Sequence, residues 1–149
     1  MNYLERMSIL YLDDEAPCLD IFRQMFGRDH DVRTALTIGE ARRALTEKTF
    51  DIVFSDYRMP ETNGSVFLQE VALAQPDCFR VMLTGAAGVG GFIGELGAGV
   101  IQLFLKKPWS EEGMRMALEL TGAARALSLR SSGIARGHDS NHISTPEGA

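Results

Sequence analysis

Four apolar runs along the chain each end on a strongly polar residue. Met7 to Leu12 stops at Asp13 and Asp14, and Phe50 to Ser55 stops at Asp56. Phe79 to Leu83 stops at Thr84, and Val100 to Leu105 stops at Lys106, Lys107 and Pro108. Short, nearly continuous apolar runs bounded by turn formers read as strands buried on both faces. A weaker strand is predicted at Asp31 to Ala35. Between the strands the apolar period changes to that of a helix. From Ala16 to Gly27, Leu19, Phe22 and Phe26 fall on one helical face, with Gly27 as a stop. Thr37 to Lys48 reads as a second helix, with Thr37 as N-cap and Glu40 three residues on. Pro60 and the Asn63, Gly64 pair mark a loop before a third helix, Ser65 to Ala74, which Pro76 and Asp77 break. After Lys107, Pro108 and Ser110 open a last helix to about Leu127. Ser110 is its N-cap, and Glu111 and Glu112 sit at the positive end of its dipole.

Strand then helix, repeated five times, predicts an α/β fold with a parallel sheet covered on both faces and right-handed crossovers. The spacing from Asp14 to Asp56 is 42 residues, room for two strand-helix units. Asp56 to Thr84 is 28 and Thr84 to Lys107 is 23, one unit each. The polar ends therefore belong to strands one, three, four and five. In a doubly wound, flavodoxin-like five-stranded sheet ordered 2-1-3-4-5, strands one and three meet at the switch point, and ligands bind outside the carboxyl ends there. From Ser128 the pattern stops. Residues 128–149 are expected to form a disordered polar tail, leaving residues 1–127 as one domain.

Composition narrows the class. The 149 residues are 45% hydrophobic, enough for one domain with a proper core. No apolar run approaches the roughly 20 residues that span a bilayer, and Met1 to Arg6 does not resemble a signal peptide. Cys18 and Cys78 lie in apolar segments and read as reduced core thiols of a cytoplasmic protein. A net charge of −5 provides no basic footprint for nucleic acid.

The sheet edge brings together three carboxylates, a hydroxyl and an ammonium. Singly, a strand-end Asp is a turn former or a helix cap, and a strand-end Lys is a solvated charge. On four strand ends at matching spacings they form a cluster. Asp13, Asp14 and Asp56 repel one another, so at least one pKa should rise unless a cation intervenes. Oxygen ligands with room for water suit Mg²⁺. Asp56 ends the central strand and is the best-placed nucleophile for attack on phosphorus. Lys107 would stabilise the equatorial oxygens, and Thr84 could donate its hydroxyl to one of them.

These residues resemble the receiver domain of two-component response regulators, the CheY-like family. Ile9 to Glu15 is similar to the family's acidic motif. Phe54 to Pro60, with Gly64 following, is similar to its phosphoacceptor strand and loop. Met82 to Gly85 resembles its switch hydroxyl, and Leu105 to Trp109 its Lys-Pro motif. The resemblance covers about Met7 to Leu127. It implies phosphoryl transfer to Asp56 from a phosphohistidine of a histidine kinase or phosphotransfer protein. It implies Mg²⁺ held by Asp14, Asp56 and the Arg58 carbonyl, with Asp13 helping through water. It implies that Phe104 reorients with Thr84, and that the peptide between Lys107 and Pro108 is cis. Output would pass to a downstream protein effector, or to a second copy across the helix four, strand five, helix five face, with no metabolic enzyme activity beyond self-phosphorylation and autodephosphorylation. No DNA-binding module is expected after residue 127, which reads as a single-domain regulator.

One departure is the segment from Gly85 to Gly99, with seven glycines in fifteen positions. Gly91, Gly94 and Gly97 fall inside the expected fourth helix and cost roughly 3 kcal/mol of helix propensity together. The segment is expected to be the most mobile part of the domain. This keeps open a reading as a constitutive receiver-like docking module. A haloacid-dehalogenase-like phosphohydrolase also combines an Asp nucleophile, a Ser or Thr, a Lys and Mg²⁺. That family places its nucleophile in a D-x-D pattern on the first strand, which Asp13, Asp14 and Glu15 lack. His138 and His142 stand four apart in the polar tail without a supporting cluster, and His30 reads as a strand-edge or loop residue.

Overall fold

The computed structural model describes residues 5–85 and 98–128. Strands and helices alternate: β1 (Ser8–Leu12), α1 (Ala16–Phe26), β2 (Asp31–Ala35), α2 (Ile38–Glu47), β3 (Ile52–Asp56), α3 (Gly64–Ala74), β4 (Phe79–Thr84) and β5 (Leu103–Lys106). A C-terminal helix covers residues 111–128. The strands form one sheet in the order β2-β1-β3-β4-β5, with every pairing parallel. This is the predicted doubly wound order. The expected fourth helix and most of the glycine-rich segment, residues 86–97, lie outside the described residues, as does the tail from residue 129.

Alternation along each strand divides the core into two layers. Leu10, Leu12, Val53 and Met82 face Ile38, Ala41 and Ala44 of α2 and Phe67, Leu68 and Val71 of α3. Ile9, Tyr11, Ile52, Phe54, Val81 and Leu83 face Leu19, Phe22 and Phe26 of α1 and Met114, Ala117 and Leu118 of the C-terminal helix. In this second layer the rings of Tyr11, Phe22 and Phe54 meet edge to face, with centroids 5.1 Å to 6.1 Å apart. Met114 is buried and Met116 exposed, as the helical pattern requires.

The caps predicted at Thr37 and Ser110 are in place, and Asn63, read from the sequence as a loop residue, is a third. The Thr37 side chain accepts from the Glu40 N–H, while Glu40 reaches back to the Leu36 N–H. Asn63 Oδ1 accepts from the N–H groups of Ser65 and Val66, and Ser110 Oγ from the Gly113 N–H. Gly27 differs from expectation. It ends α1 in the right-handed region, at φ −69° and ψ −18°. Its constraint is space, because a Cβ would fall 2.5 Å from the Arg23 carbonyl oxygen. β5 begins at Leu103, later than Val100, because the Val100 carbonyl accepts from the Arg80 side chain. Gly99, at φ +79°, takes a conformation that L side chains rarely adopt.

His30 lies in the bend just before β2, as a strand-edge or loop residue should. It is buried, and its Nδ1 accepts the Met7 N–H at 3.1 Å. Burial lowers its pKa below the ordinary 6.5, with Arg6 and Arg115 pushing the same way and Asp29 opposing. The folded chain therefore binds this proton less readily than the unfolded chain. The stability contributed by neutral His30 is present above about pH 6.5 and is lost as pH falls through that value towards the lower folded pKa. We expect the urea midpoint to drop between pH 7.5 and 6.0, and His30→Gln to flatten that drop. An equal pH slope in both proteins would refute the assignment.

Candidate functional site

Parallel pairing places the polar strand ends together. Leu12 is paired with Ser55, Asp56 with Leu83, and Thr84 with Lys106. The ladder continues past the strands, through Tyr57 N–H to the Leu83 carbonyl and Lys107 N–H to the Thr84 carbonyl. Asp13 is fully buried, Asp56 is 6% exposed and Thr84 is 4% exposed, whereas Asp14 lies at the surface. Carboxylate oxygens of Asp13, Asp14 and Asp56 lie within 4.8 Å of one another.

Lys107 joins two of these acids. Its Nζ lies 3.0 Å from Asp13 Oδ2 and 3.0 Å from Asp56 Oδ2, and 3.5 Å from Glu15 Oε1. Lys106 points to solvent, and the Lys107–Pro108 peptide is cis. Asp13 is further held by the Glu15 N–H on Oδ1 at 2.9 Å and the Tyr11 hydroxyl on Oδ2 at 2.7 Å. Asp56 Oδ1 accepts the Arg58 N–H at 3.3 Å. The Thr84 hydroxyl donates to the Gly85 carbonyl at 3.3 Å. Phe104 is half-buried and packs against the layer containing α2 and α3.

The charges show who dominates. Burial raises the Asp56 pKa and Asp13 adds repulsion, while the hydrogen bond and attraction of Lys107 oppose this without cancelling it. Burial works against the Lys107 charge, but its bonds to Asp13 and Asp56 outweigh that and hold its pKa above the ordinary range. Among the described residues two sets of groups could ligate a metal. Asp13, Asp14 and Asp56 offer oxygen alone, with one member open to water, which fits a hard cation such as Mg²⁺. Asp13, Glu15 and Cys18 include a thiol. Burial and the neighbouring acids push that thiol up to about 11, so it stays protonated at neutral pH and ligates poorly. Cys18 is thus half-buried beside the site, not a core thiol, whereas Cys78 is buried.

Gly64 fixes the loop after β3. Its N–H donates to the Tyr57 carbonyl at 2.7 Å, and a Cβ would fall 2.2 Å from the Asp56 carbonyl oxygen and 2.7 Å from Ser55 Oγ. Backbone must move to admit even a methyl group. Gly64→Ala is expected to cost about 1–3 kcal/mol in urea unfolding, and a loss below about 0.5 kcal/mol would show that the loop yields freely.

Glu15, Tyr11 and Trp109 escaped the reading from sequence. For Tyr11 there was a signal, a hydroxyl-bearing side chain inside an apolar strand two positions before Asp13. Trp109 Nε1 donates to Tyr11 Oη at 2.9 Å across 98 positions of sequence, which no local pattern reveals.

The family model of the response regulator receiver domain matches residues 9–119. The hydrogenase transcriptional regulatory protein HoxA of Cupriavidus necator is 27% identical over 122 residues, covering 79% of this chain and 25% of its own length. The alginate biosynthesis transcriptional regulatory protein AlgB of Pseudomonas aeruginosa is 31% identical over 123 residues, covering 82% and 26%. The chain thus spans about a quarter of the length of these curated relatives. The crystal structure of a response regulator receiver domain protein from Clostridium thermocellum superimposes with a TM-score of 0.74 at 27% identity, over 80% of this chain and 97% of that one. Among the described residues no helix is long and apolar enough to cross a membrane. With the sheet order, the acidic edge and the family match in agreement, the chain belongs to the response regulator receiver domains.

Proposed function

We propose that Asp56 accepts a phosphoryl group from the phosphohistidine of a histidine kinase or phosphotransfer protein, and that the phosphorylated chain switches its contacts with a downstream protein. The observation that carries this is the Asp56 carboxylate at the end of β3, 3.0 Å from Lys107 Nζ and beside Asp13 and Asp14. An Asp56 oxygen attacks phosphorus as the P–N bond breaks, and the electron pair of that bond returns to the imidazole. Attack needs the ionised carboxylate. Burial works against ionisation at Asp56, and the Lys107 ammonium sustains it. Asp14, Asp56 and the Arg58 carbonyl would hold Mg²⁺, with Asp13 acting through water. The ion would neutralise charge on the transferring oxygens. Lys107 would turn to one phosphoryl oxygen and the Thr84 hydroxyl to another, and Phe104 would occupy the space that Thr84 leaves.

In this reading the chain works in the cytoplasm as a receiver. It catalyses its own phosphorylation and dephosphorylation and acts on no metabolite. Its output passes through protein contacts, including a possible second copy, and not through nucleic acid. The relatives named above are transcriptional regulators, and this chain spans about a quarter of their length. The test is incubation with acetyl phosphate and Mg²⁺. Intact mass should rise by one phosphoryl group, and EDTA should prevent the rise. No gain under any Mg²⁺ concentration would favour a constitutive docking module instead.

A further inference from the structure

We propose that Tyr11 is a positioning residue of the acidic site: it holds Asp13 so that Lys107 is free to leave Asp13 for a phosphoryl group on Asp56, and Trp109 sets the direction of its hydroxyl. This rests on the phosphoacceptor reading above.

The argument begins with one unusual strand residue. β1 is otherwise aliphatic where it is buried, yet Tyr11 brings a hydroxyl into the layer between the sheet and α1. A buried hydroxyl needs partners. Period-two alternation puts Tyr11 and Asp13 on the same face, and the Tyr11 hydroxyl donates to Asp13 Oδ2 at 2.7 Å. Trp109 determines which way that hydrogen points. An indole N–H donates and cannot accept, so the Tyr11 oxygen receives Trp109 Nε1 at 2.9 Å and its own hydrogen goes to Asp13. The ring cannot drift. Phe22, Phe54 and Trp109 enclose it with centroid distances of 5.1, 6.1 and 6.5 Å.

The consequence lies in how donors are shared. Asp13 is fully buried, so its charge depends on the groups that reach it. Among the described residues three donors do: the Glu15 N–H, the Tyr11 hydroxyl and Lys107 Nζ. Lys107 is divided between Asp13 and Asp56 at equal distances of 3.0 Å. When it turns to a phosphoryl oxygen, Asp13 keeps the two donors that belong to β1 and its turn. Without the Tyr11 hydroxyl, Lys107 would be the sole side-chain donor to Asp13 among the described residues and would be held there. The Asp13 carboxylate would also lose the bond that fixes its rotation.

Tyr11→Phe removes the oxygen and keeps the ring. We expect it to weaken Mg²⁺ binding by about tenfold, the usual scale for losing an outer-shell partner, and to slow labelling by acetyl phosphate. Trp109→Phe leaves the Tyr11 bond to Asp13 but unpolarised, so its effect should have the same direction and be smaller. The double variant should match Tyr11→Phe, because Trp109 acts through the same oxygen. Calorimetric titration of the full chain with MgCl₂ reads the affinities, and intact mass against time reads the labelling. Wild type that binds Mg²⁺ and labels, beside a Tyr11→Phe protein equal to it in both, overturns this inference and leaves the phosphoacceptor reading standing. Additive losses in the double variant overturn it as well, since independent packing defects add. Wild type that neither binds nor labels overturns both. If Tyr11→Phe does not fold, Trp109→Phe carries the test, and an affinity equal to wild type refutes the proposal.

Discussion

We expect an Asp56→Asn variant to take up no phosphoryl group from acetyl phosphate under conditions where the wild-type chain gains one. The amide has the shape of the carboxylate, so the end of β3 is not disturbed. Its oxygen can still accept from Lys107 Nζ, now 3.0 Å from Asp56 Oδ2. What disappears is the anionic oxygen that, in the proposed reaction, attacks phosphorus. Loss through misfolding is not expected. The cluster crowds three carboxylates within 4.8 Å around one ammonium, and removing one charge relieves repulsion. The variant should therefore melt no lower than wild type. Asp14→Asn provides the contrast, because Asp14 is exposed and makes no bond to Lys107. It should still be labelled, at a higher Mg²⁺ requirement. Equal mass gain in wild type and Asp56→Asn would show that another residue is the acceptor.

The second large effect is structural and lies at the opposite edge of the sheet. Arg80, near the start of β4, is 5% exposed. Its guanidinium donates to four backbone carbonyls: Val100 at 2.6 Å, Cys78 at 2.6 Å, Gly99 at 2.9 Å and Pro76 at 3.2 Å. These carbonyls come from the turn before β4 and from the approach to β5, so one side chain ties the two together. The planar fork suits this task because its donors diverge in fixed directions. Arg80→Met keeps much of the volume and removes every donor. A buried acceptor left without a partner costs about 1–3 kcal/mol. The Cys78 bond is buried and the other three are partly buried, so water recovers some of the loss. We expect Arg80→Met to lose about 2–4 kcal/mol in urea unfolding, a large share of a typical domain stability of about 5–15 kcal/mol. Arg80→Lys should recover only part of it. A loss under about 1 kcal/mol would mean that solvent replaces the guanidinium.

Arg80 also shows where a local reading stops. In the sequence it is a charged residue beginning an apolar run, which suggests a solvated strand end. Its burial follows from carbonyls 2 to 4 positions before it and 19 to 20 positions after it. His30 is similar, since the Met7 N–H that it receives lies 23 positions away. Gly64 was legible as part of a turn, but its reason is the Asp56 carbonyl against which α3 begins. Gly27 was legible as a stop, and its reason is again crowding, not a left-handed backbone.

The order of elements, the parallel sheet and the edge that carries the polar residues were all determined by the sequence. Each depends on relations between near neighbours. A short continuous apolar run marks a strand buried on both faces, and a period near 3.6 marks a packed helix. Thr37 and Ser110 cap their helices through groups three residues away. Connection lengths then assign the polar ends to strands one, three, four and five. The tertiary structure alone decided how the acidic edge is wired. Asp13 turns inward while Asp14 stays at the surface, because Asp13 meets Tyr11, Lys107 and the Glu15 N–H. Lys107 divides itself between two acids on different strands, and Trp109 reaches Tyr11 from the far end of the domain. Hydrogen bonds and Coulomb forces act through space over a few ångströms, whatever the separation along the chain. Their partners therefore become determinate only once the sheet has brought the strand ends side by side.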